Sequence, residues 1–327
     1  MQSTDPLRIL VTGATGSFGK AFVKRLLVEF PKSTILAFSR DELKQFEMRA
    51  EFNSERLNFM LGDVRDFNRV TQATSGIDIV IHAAAMKQIP AAEQNPMEAI
   101  KTNVLGAENI VNASLLNNVD RVIALSTDKA ANPANLYGAT KLCSDKLMIA
   151  GNYLSPEKKT KFSVVRYGNV LGSRGSVIPF FLEMKSKGSI PITDPRMTRF
   201  WLTLDRGVDL VLTGLATMNG GEIFVPKIPS YKVLDVARVV APKCETHVIG
   251  IRPGEKLHEV MITEDDSLYT VEFENHYAIL SPQLLFLRSI ELRDKLVPEG
   301  FSYRSDTNSW WHTEESFRKV LSEINLV

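Results

Sequence analysis

The stretch Arg8-Ile9-Leu10-Val11-Thr12-Gly13-Ala14-Thr15-Gly16-Ser17-Phe18-Gly19 decides the fold of this 327-residue chain. It joins a run of apolar residues, typical of a buried strand, to a turn with a glycine at every third position. From Phe18 to Phe30 phenylalanine and leucine recur every four residues, which predicts a helix with one apolar face. A glycine-rich turn between a strand and a helix lets the backbone approach a pyrophosphate at the helix N-terminus. The stretch therefore predicts a dinucleotide-binding unit.

Three further apolar runs, at residues 34–38, 78–81 and 121–125, alternate with helical patterns in the first half of the chain. This alternation predicts a parallel sheet with crossover helices, so we expect the α/β class with a Rossmann-type doubly wound sheet. After residue 167, glycine and proline become more frequent and single arginines stand among loops. We therefore predict a dinucleotide-binding domain at 1–170, rejoined by 204–228. A smaller C-terminal substrate-binding lobe takes 171–203 and 229–327.

The composition argues against several classes of protein. The 39 basic and 38 acidic residues give a net charge of +1, so no overall field favours nucleic acid or an anionic membrane. Residues 1–6 show no signal sequence, and no apolar run approaches the roughly 20 residues of a membrane span, so we expect a cytoplasmic protein. Cys143 and Cys244 lie far apart and predict neither a disulfide nor a metal site. We expect both thiols to be buried.

The residues at the end of the second predicted strand bear on the choice of dinucleotide. An NAD site usually has an acidic residue about 20 residues after the glycine-rich turn, where it accepts the ribose hydroxyls. Ser39 and Arg40 stand at that place. A hydroxyl and a guanidinium suit a ribose 2′-phosphate, which a carboxylate would repel. We therefore predict NADP, although the neighbouring Asp41 leaves NAD open.

Among the seven tyrosines, Tyr137 alone is followed four residues later by a lysine, Lys141. That spacing places both side chains on one face of a helix. A nearby cation favours the tyrosinate form, and a tyrosine with an ordinary pKa of about 10 needs such help to act as a base. Thr127 comes ten residues earlier, at the end of a predicted buried strand. We predict that Thr127, Tyr137 and Lys141 are catalytic residues.

The segment around these residues resembles a known family. Ser126-Thr127-Asp128-Lys129-Ala130 and Leu136-Tyr137-Gly138-Ala139-Thr140-Lys141 are similar to the inverting UDP-N-acetylglucosamine 4,6-dehydratases of the extended short-chain dehydrogenase/reductase superfamily, which open the pathway to pseudaminic acid. The likeness continues through 197–201, 221–227 and 250–259. One departure is Ala14, where many members have a second consecutive glycine. Its methyl group could alter the turn slightly, but its backbone N–H remains.

The resemblance implies a dehydration. The pair Asp128-Lys129, directly after Thr127, is the feature that separates a dehydratase from an epimerase. An epimerase only removes and returns a hydride, whereas a dehydratase must also handle protons at C5 and O6 of the sugar. The resemblance implies that Lys129 is the base at C5, with its pKa lowered by burial and neighbouring cations. Protonated Asp128 then gives its proton to the leaving O6 hydroxyl. Retaining 4,6-dehydratases carry an Asp-Glu pair at this place, so Lys129 implies inversion at C5.

The cofactor site is expected to combine the glycine-rich turn with the ends of the neighbouring strands. Asp63-Val64 is similar to the Asp-Val step that holds adenine in these enzymes, although its spacing alone fits a surface carboxylate equally well. The expected cofactor-binding residues are Thr12, Gly13, Thr15, Gly16, Ser17, Phe18, Gly19, Ser39, Arg40, Asp63, Val64, Ala83, Ala84, Lys87, Tyr137 and Lys141.

The resemblance also implies a substrate and an assembly. The substrate is UDP-N-acetylglucosamine, and arginine side chains of the smaller lobe hold its pyrophosphate. The expected substrate-binding residues are Lys87, Asn169, Arg174, Arg199, Arg252 and Glu255. The family precedent is a homo-oligomer, a hexamer. No nucleic acid, membrane or metal is expected as a partner.

Two alternatives remain at this point. A UDP-hexose 4-epimerase would share the cofactor, Thr127, Tyr137 and Lys141, and the pair Asp128-Lys129 argues against it. A non-catalytic NADP-sensing regulator would keep the fold without the chemistry. The intact set of Thr127, Tyr137 and Lys141 argues against that second alternative.

Overall fold

The structure, a computed structural model, describes residues 6–155, 157, 159–172 and 177–324. The strands are β1 Arg8–Thr12, β2 Thr34–Ser39, β3 Leu57–Leu61, β4 Ile79–His82, β5 Arg121–Thr127, β6 Lys161–Tyr167, β7 Asn169–Val170, β8 Ser189–Ile192, β9 Thr198–Leu202, β10 Glu222–Pro226, β11 Ser230–Lys232, β12 Glu245–Val248, β13 Val260–Ile262, β14 Thr270–Glu272, β15 His276–Leu280 and β16 Tyr303–Arg304. The helices are α1 Ser17–Glu29, α2 Glu42–Phe52, α3 Phe67–Thr74, α4 Ile89–Gln94, α5 Pro96–Ile100, α6 Gly106–Leu116, α7 Leu136–Leu154, α8 Val177–Lys185, α9 Leu204–Thr217, α10 Val233–Val240, α11 Pro282–Leu287, α12 Ser289–Leu292 and α13 Glu314–Glu323.

Within the described residues the largest sheet has nine strands in the order β3-β2-β1-β4-β5-β6-β10-β15-β14. The strands from β3 to β10 are parallel, and β15 and β14 extend the sheet in antiparallel fashion. The strand order reverses between β1 and β4, and ligands of such sheets bind in the crevice outside the carboxyl ends of the strands at this switch point. The predicted α/β class with a doubly wound parallel sheet is confirmed.

The central strands form because their apolar side chains are covered on both faces. Leu10, Val80 and Ile123 stand in neighbouring strands and are fully buried. On α1, Phe22 and Leu26 are buried as well, as the four-residue spacing predicts. Continuous apolar runs of this kind are typical of parallel strands with helices on both faces. This packing holds the loops at the carboxyl ends of the strands on a rigid base.

A second apolar core belongs to the C-terminal half. Trp201 of β9, Tyr231 of β11 and Phe317 of α13 are buried there. Three small sheets, β11-β9-β7, β12-β8 and β13-β16, are separate from the large sheet. The predicted boundaries placed 229–327 in this lobe. In the structure β14 and β15 of that range hydrogen-bond into the large sheet instead, through β10. Antiparallel pairing with a distant strand leaves no local pattern, so the sequence did not reveal it.

Neither cysteine is fully buried. Cys143 is exposed and Cys244 is half-buried, so the expectation of two buried thiols is wrong. Cys143 lies on α7 two residues after Lys141, and the helix turns it to the opposite side.

Among the residues that the structure describes, no helix is both long and apolar enough to cross a bilayer.

Candidate active site

A cavity of about 790 Å³ opens at the carboxyl ends of the central strands. It lies where the reversal of strand order predicts a ligand site. Of the expected site residues it is lined by Gly13, Thr15, Gly16, Ser17, Phe18, Gly19, Ser39, Arg40, Val64, Ala83, Ala84, Lys87, Thr127, Asp128, Lys129, Tyr137, Lys141 and Asn169. The structure therefore brings both ends of the predicted cofactor site and the predicted catalytic residues into one cavity.

The glycine-rich turn is shaped for a pyrophosphate. Gly13 has a φ of 64°, and a Cβ there would lie 2.8 Å from the carbonyl oxygen of Ala83. Gly16 is the N-cap of α1 and offers no capping side chain, and the first turn of that helix carries no acidic residue. The first-turn N–H groups of α1 are thus left for an anion. The turn fits the phosphates of a dinucleotide.

Thr12 does not line the cavity but fixes the turn from below. Its Oγ1 lies 2.9 Å from Nδ1 of His82 and accepts hydrogen bonds from the backbone of Ala83 and Ala84, each at 3.2 Å. Burial lowers the pKa of His82 to about 3, and the charge of Lys141 acts in the same direction. The imidazole is therefore neutral. Thr12 and His82 together join the ends of β1 and β4.

The end of β2 carries two cations at the cavity, Arg40 and Lys44. Asp41 is the N-cap of α2: its carboxylate accepts a hydrogen bond from the backbone of Lys44 at 3.0 Å and pairs with the Lys44 ammonium at 2.5 Å. Asp63 accepts hydrogen bonds from Arg65 and lies 3.5 Å from Arg40. It does not line the cavity, although Val64 does. Both carboxylates are thus already engaged by cations at this edge.

The segment that carries the predicted catalytic pair, called the catalytic segment below, is a short 3-10 helix, Asp128–Ala130, between β5 and α7. Thr127 Oγ1 donates to Asp128 Oδ1 at 2.8 Å, and Lys129 Nζ donates to the same oxygen at 3.0 Å. The second oxygen of Asp128 is buried without a hydrogen-bond partner among the described residues. The carboxyl group therefore has one oxygen held in place and one oxygen free to carry a proton.

Tyr137 and Lys141 stand on one face of α7, as their spacing predicts, and Asp145 continues that face. Burial lowers the pKa of Lys141, and the carboxylate of Asp145 opposes this shift. Asp145 accepts hydrogen bonds from Ser126 at 2.7 Å and from Arg166 at 3.3 Å. Burial raises the pKa of Tyr137 to about 12, while the Lys129 charge and a hydrogen bond with Thr127 oppose it. Tyr137 is therefore protonated at neutral pH.

The expectation of a lowered pKa at Lys129 is wrong. Burial does lower the pKa of Lys129, but the carboxylates of Asp128 and Glu259 outweigh burial and raise the pKa above its ordinary value. The Glu259 carboxylate lies 3.4 Å from Lys129 Nζ. Burial raises the pKa of Asp128 as well. The sequence could not show that a second acid from a distant segment lies beside Lys129.

The residues expected to bind substrate are not all brought together. Lys87 and Asn169 line the cavity, and Asn169 Oδ1 is buried without a partner among the described residues. Arg199 lies behind Lys129, 3.5 Å from Glu259, and donates to three backbone carbonyls. Arg252 is exposed and Glu255 half-buried, both outside the lining of the cavity. Arg174 lies outside the described residues.

Three residues of this site escaped the sequence analysis. Asp145 follows Lys141 by four residues, and this continued spacing was the available signal. Lys44 is one helical turn beyond Arg40 at the start of α2. Glu259 stands within the segment 250–259, but nothing in the sequence brings it near Lys129. The fold packs β13 against the segment Asp128–Ala130, and this packing brings Glu259 beside Lys129.

The strand order, the phosphate turn and the Thr127, Tyr137 and Lys141 constellation define a dinucleotide-dependent enzyme of the extended short-chain dehydrogenase/reductase type. A nicotinamide dinucleotide is the cofactor typical of this fold. Within that class, the chain belongs to the polysaccharide biosynthesis protein family, whose model matches residues 9–281.

Similar proteins narrow the class further. An inverting UDP-N-acetylglucosamine 4,6-dehydratase of Campylobacter jejuni is 52% identical over 324 residues, which cover 96% of this chain and 97% of that protein. A UDP-glucose 4-epimerase of Rickettsia bellii is 43% identical over 279 residues, covering 83% of this chain and 82% of that protein. The X-ray structure of Pen from Bacillus thuringiensis matches with a TM-score of 0.90 and 34% identity, and covers 99% of both chains.

Proposed function

We propose that this chain is an inverting UDP-N-acetylglucosamine 4,6-dehydratase. The observation that carries the proposal is the hydrogen-bonded pair of Asp128 and Lys129, which lines the cavity beside Tyr137. A sequence identity of 52% to the Campylobacter jejuni dehydratase over almost the whole of both chains supports it. The product is UDP-2-acetamido-2,6-dideoxy-β-L-arabino-hexos-4-ulose. We also propose that the enzyme works as a homo-oligomer, in line with the family resemblance.

For the cofactor we propose NADP. When bound, NADP would supply the hydride acceptor for C4 of the sugar and the hydride donor for C6. The first-turn amides of α1 would hold its pyrophosphate, and Arg40 and Lys44 would hold its 2′-phosphate. Asp41 lines the same end of the cavity, but its carboxylate is already engaged as the cap of α2 and as the partner of Lys44. The predicted roles of Ser39 and Val64 belong to the same nucleotide end of the cavity.

The first chemical task is to remove the proton of the C4 hydroxyl. We assign it to Tyr137, whose raised pKa must fall for the tyrosinate to form. The Lys129 charge already acts in that direction. Lys141 lies on the same helix face; burial lowers its pKa, and the Asp145 carboxylate opposes this shift. Thr127 bonds the phenol and orients it toward the substrate.

The second task is the loss of water across C5 and C6. Once C4 is a ketone, the C5 hydrogen is acidic, and Lys129 as an amine accepts it. Asp128 gives its proton to the O6 oxygen, which leaves as water. The raised pKa of Asp128 and its free second oxygen suit a proton donor. Protonation of C5 from the opposite face then gives the inverted configuration.

Incubation with UDP-N-acetylglucosamine in D₂O, followed by NMR, tests the function. We expect a 4-keto-6-deoxy product with deuterium at an inverted C5. The second candidate function is a UDP-hexose 4-epimerase, which the similarity to the Rickettsia bellii epimerase favours. UDP-N-acetylgalactosamine as the product would replace our proposal with that candidate. A lack of turnover with any UDP-sugar would point to a regulator instead.

The double substitution Arg40→Ala and Lys44→Ala tests the choice of cofactor. Charge-assisted hydrogen bonds to the 2′-phosphate are lost, and such bonds contribute about 1.5–3 kcal/mol each. Two such bonds amount to about 3–6 kcal/mol, so we expect the Kd for NADPH to rise by about 10²–10⁴-fold. The Kd for NADH should not change, as measured by calorimetry. Arg49→Ala is the matched control, because Arg49 lies at the far end of α2 over the ring of Phe59. Equal losses for NADPH and NADH would argue against a 2′-phosphate site.

A further inference from the structure

Glu259 lies in a buried charge cluster that the proposed chemistry has not involved. It is 2% exposed. One carboxylate oxygen lies 3.4 Å from Lys129 Nζ and 3.5 Å from Arg199 Nε. The other lies 4.0 Å from Lys256 Nζ. Glu259 immediately precedes β13, whereas Lys129 follows β5. A residue distant in the sequence therefore contacts the catalytic pair directly.

The backbone holds Glu259 in a fixed position. The N–H of Glu259 donates to Ser305 Oγ at 2.9 Å, and the N–H of Ser305 donates to the carbonyl oxygen of Glu259 at 2.9 Å. Arg199 is fixed in turn, because it donates to the carbonyl oxygens of Leu257 at 3.1 Å and Lys256 at 2.9 Å. Lys256 donates to the carbonyl oxygen of Ala131, next to the catalytic segment. The carboxylate is thus held beside Lys129 by the fold itself.

We infer that Glu259 is a positioning residue that keeps one shared proton on the pair of Asp128 and Lys129. The inference rests on the proposed dehydration. That step needs an amine at Lys129 and a carboxylic acid at Asp128 at the same moment. The 3.0 Å hydrogen bond between the two side chains is the path for this transfer. One Nζ–H bond of Lys129 breaks, and an O–H bond forms on Asp128.

The step balances and restores the pair. The C5–H bond breaks and its proton goes to Lys129. The electron pair of that bond forms the C5=C6 double bond, and the C6–O bond breaks. The proton of Asp128 joins the departing oxygen, which leaves as water. Lys129 is then an ammonium and Asp128 a carboxylate, as before. A pair with two protons would lack the base, and a pair without a proton would lack the acid.

The surrounding charges explain why Glu259 is needed. The groups that face the pair are Glu259, Arg199, Lys256 and Tyr137. The negative charge of Glu259 raises the pKa of Asp128 and of Lys129, so the pair keeps its proton as the pH rises. Burial raises the pKa of Glu259 itself, but the three cations outweigh burial and lower it. Glu259 therefore stays ionised.

The test is Glu259→Gln, which keeps the shape and removes the charge. The protein is labelled with ¹³C at the lysine ε-carbons, and the Lys129 signal is identified by its absence in Lys129→Arg. In the wild type this signal should titrate above the ordinary lysine value of about 10.4. In Glu259→Gln it should titrate about one pH unit lower than in the wild type, because an opposite charge within about 4–6 Å is lost. The alkaline limb of the dehydration rate should move down by the same amount.

Glu222→Gln is the matched control. Glu222 is 3% exposed, about as buried as Glu259, but its carboxylate binds Ser163, Asn219 and Gly220. It should lose stability without moving the Lys129 titration. If Glu259→Gln fails to fold, Glu259→Asp keeps the charge but moves it away from Lys129. The Lys129 signal should then titrate below the wild-type value, and an unchanged titration would overturn the inference.

The outcomes separate the two proposals. An unchanged Lys129 titration in a folded Glu259→Gln variant overturns the inference, even if its activity falls, because a purely structural role moves stability alone. The titration needs no turnover. A wild type that does not dehydrate UDP-N-acetylglucosamine therefore counts against the proposed function and leaves the Lys129 measurement to judge the role of Glu259.

Discussion

Lys129→Arg is expected to slow dehydration by about 10²–10⁴-fold, the usual contribution of a general base. The guanidinium keeps the positive charge beside Asp128 and Glu259, so the buried carboxylates stay paired. It cannot accept the C5 proton, because arginine does not deprotonate in proteins. Lys129→Met removes the base and the positive charge together and should abolish dehydration. Product formation and exchange of the C5 hydrogen in D₂O measure both effects.

The control for this substitution is Lys227→Arg. Lys227 is about as exposed as Lys129, 26% against 22%, and pairs with Glu272 at 2.7 Å, away from the cavity. The Lys227→Arg enzyme should dehydrate UDP-N-acetylglucosamine at the wild-type rate. Both proteins should retain their bound dinucleotide after gel filtration, which shows an intact fold. Wild-type dehydration by Lys129→Arg would mean that another group removes the C5 proton.

Gly138→Ala is expected to reduce activity by about a hundredfold or more. A Cβ at this position of α7 would overlap the carbonyl oxygen of Lys129 and lie 3.1 Å from Pro133. The overlap is with backbone, so the catalytic segment must move away from the helix. A displacement of about 1 Å in an active site can cost about 10²-fold in rate. Steady-state kinetics and a thermal melt check both consequences.

Gly207→Ala is the matched control for that substitution. Gly207 also lies within a helix, α9, and its added Cβ would meet only Leu202 at an ordinary distance of 3.7 Å. We expect unchanged activity and a stability gain of about 0.4–1 kcal/mol, because alanine restricts the unfolded chain. Full activity of Gly138→Ala would show that the close approach of α7 to Lys129 is not required.

The sequence predicted the large sheet well because its evidence is local. Strand β1 and helix α1 begin and end within about two residues of the apolar runs that indicated them. The placement of Tyr137 and Lys141 was also predictable, because a four-residue spacing puts two side chains on one face of a helix such as α7. The domain boundaries were less accurate, since β14 and β15 join the large sheet from the range predicted as the substrate-binding lobe.

The glycine-rich turn and the catalytic segment thus determined by themselves the class of fold and the group of residues at the cavity, because each pattern reports contacts between near neighbours in the chain. The tertiary structure alone decided the protonation of that group. Glu259 follows Lys129 by 130 positions, yet its carboxylate lies 3.4 Å from the ammonium. Together with the larger effect of the adjacent Asp128, it raises the Lys129 pKa against the expected direction. Electrostatic energy depends on distance in space and on burial, and neither can be read from separation along the chain.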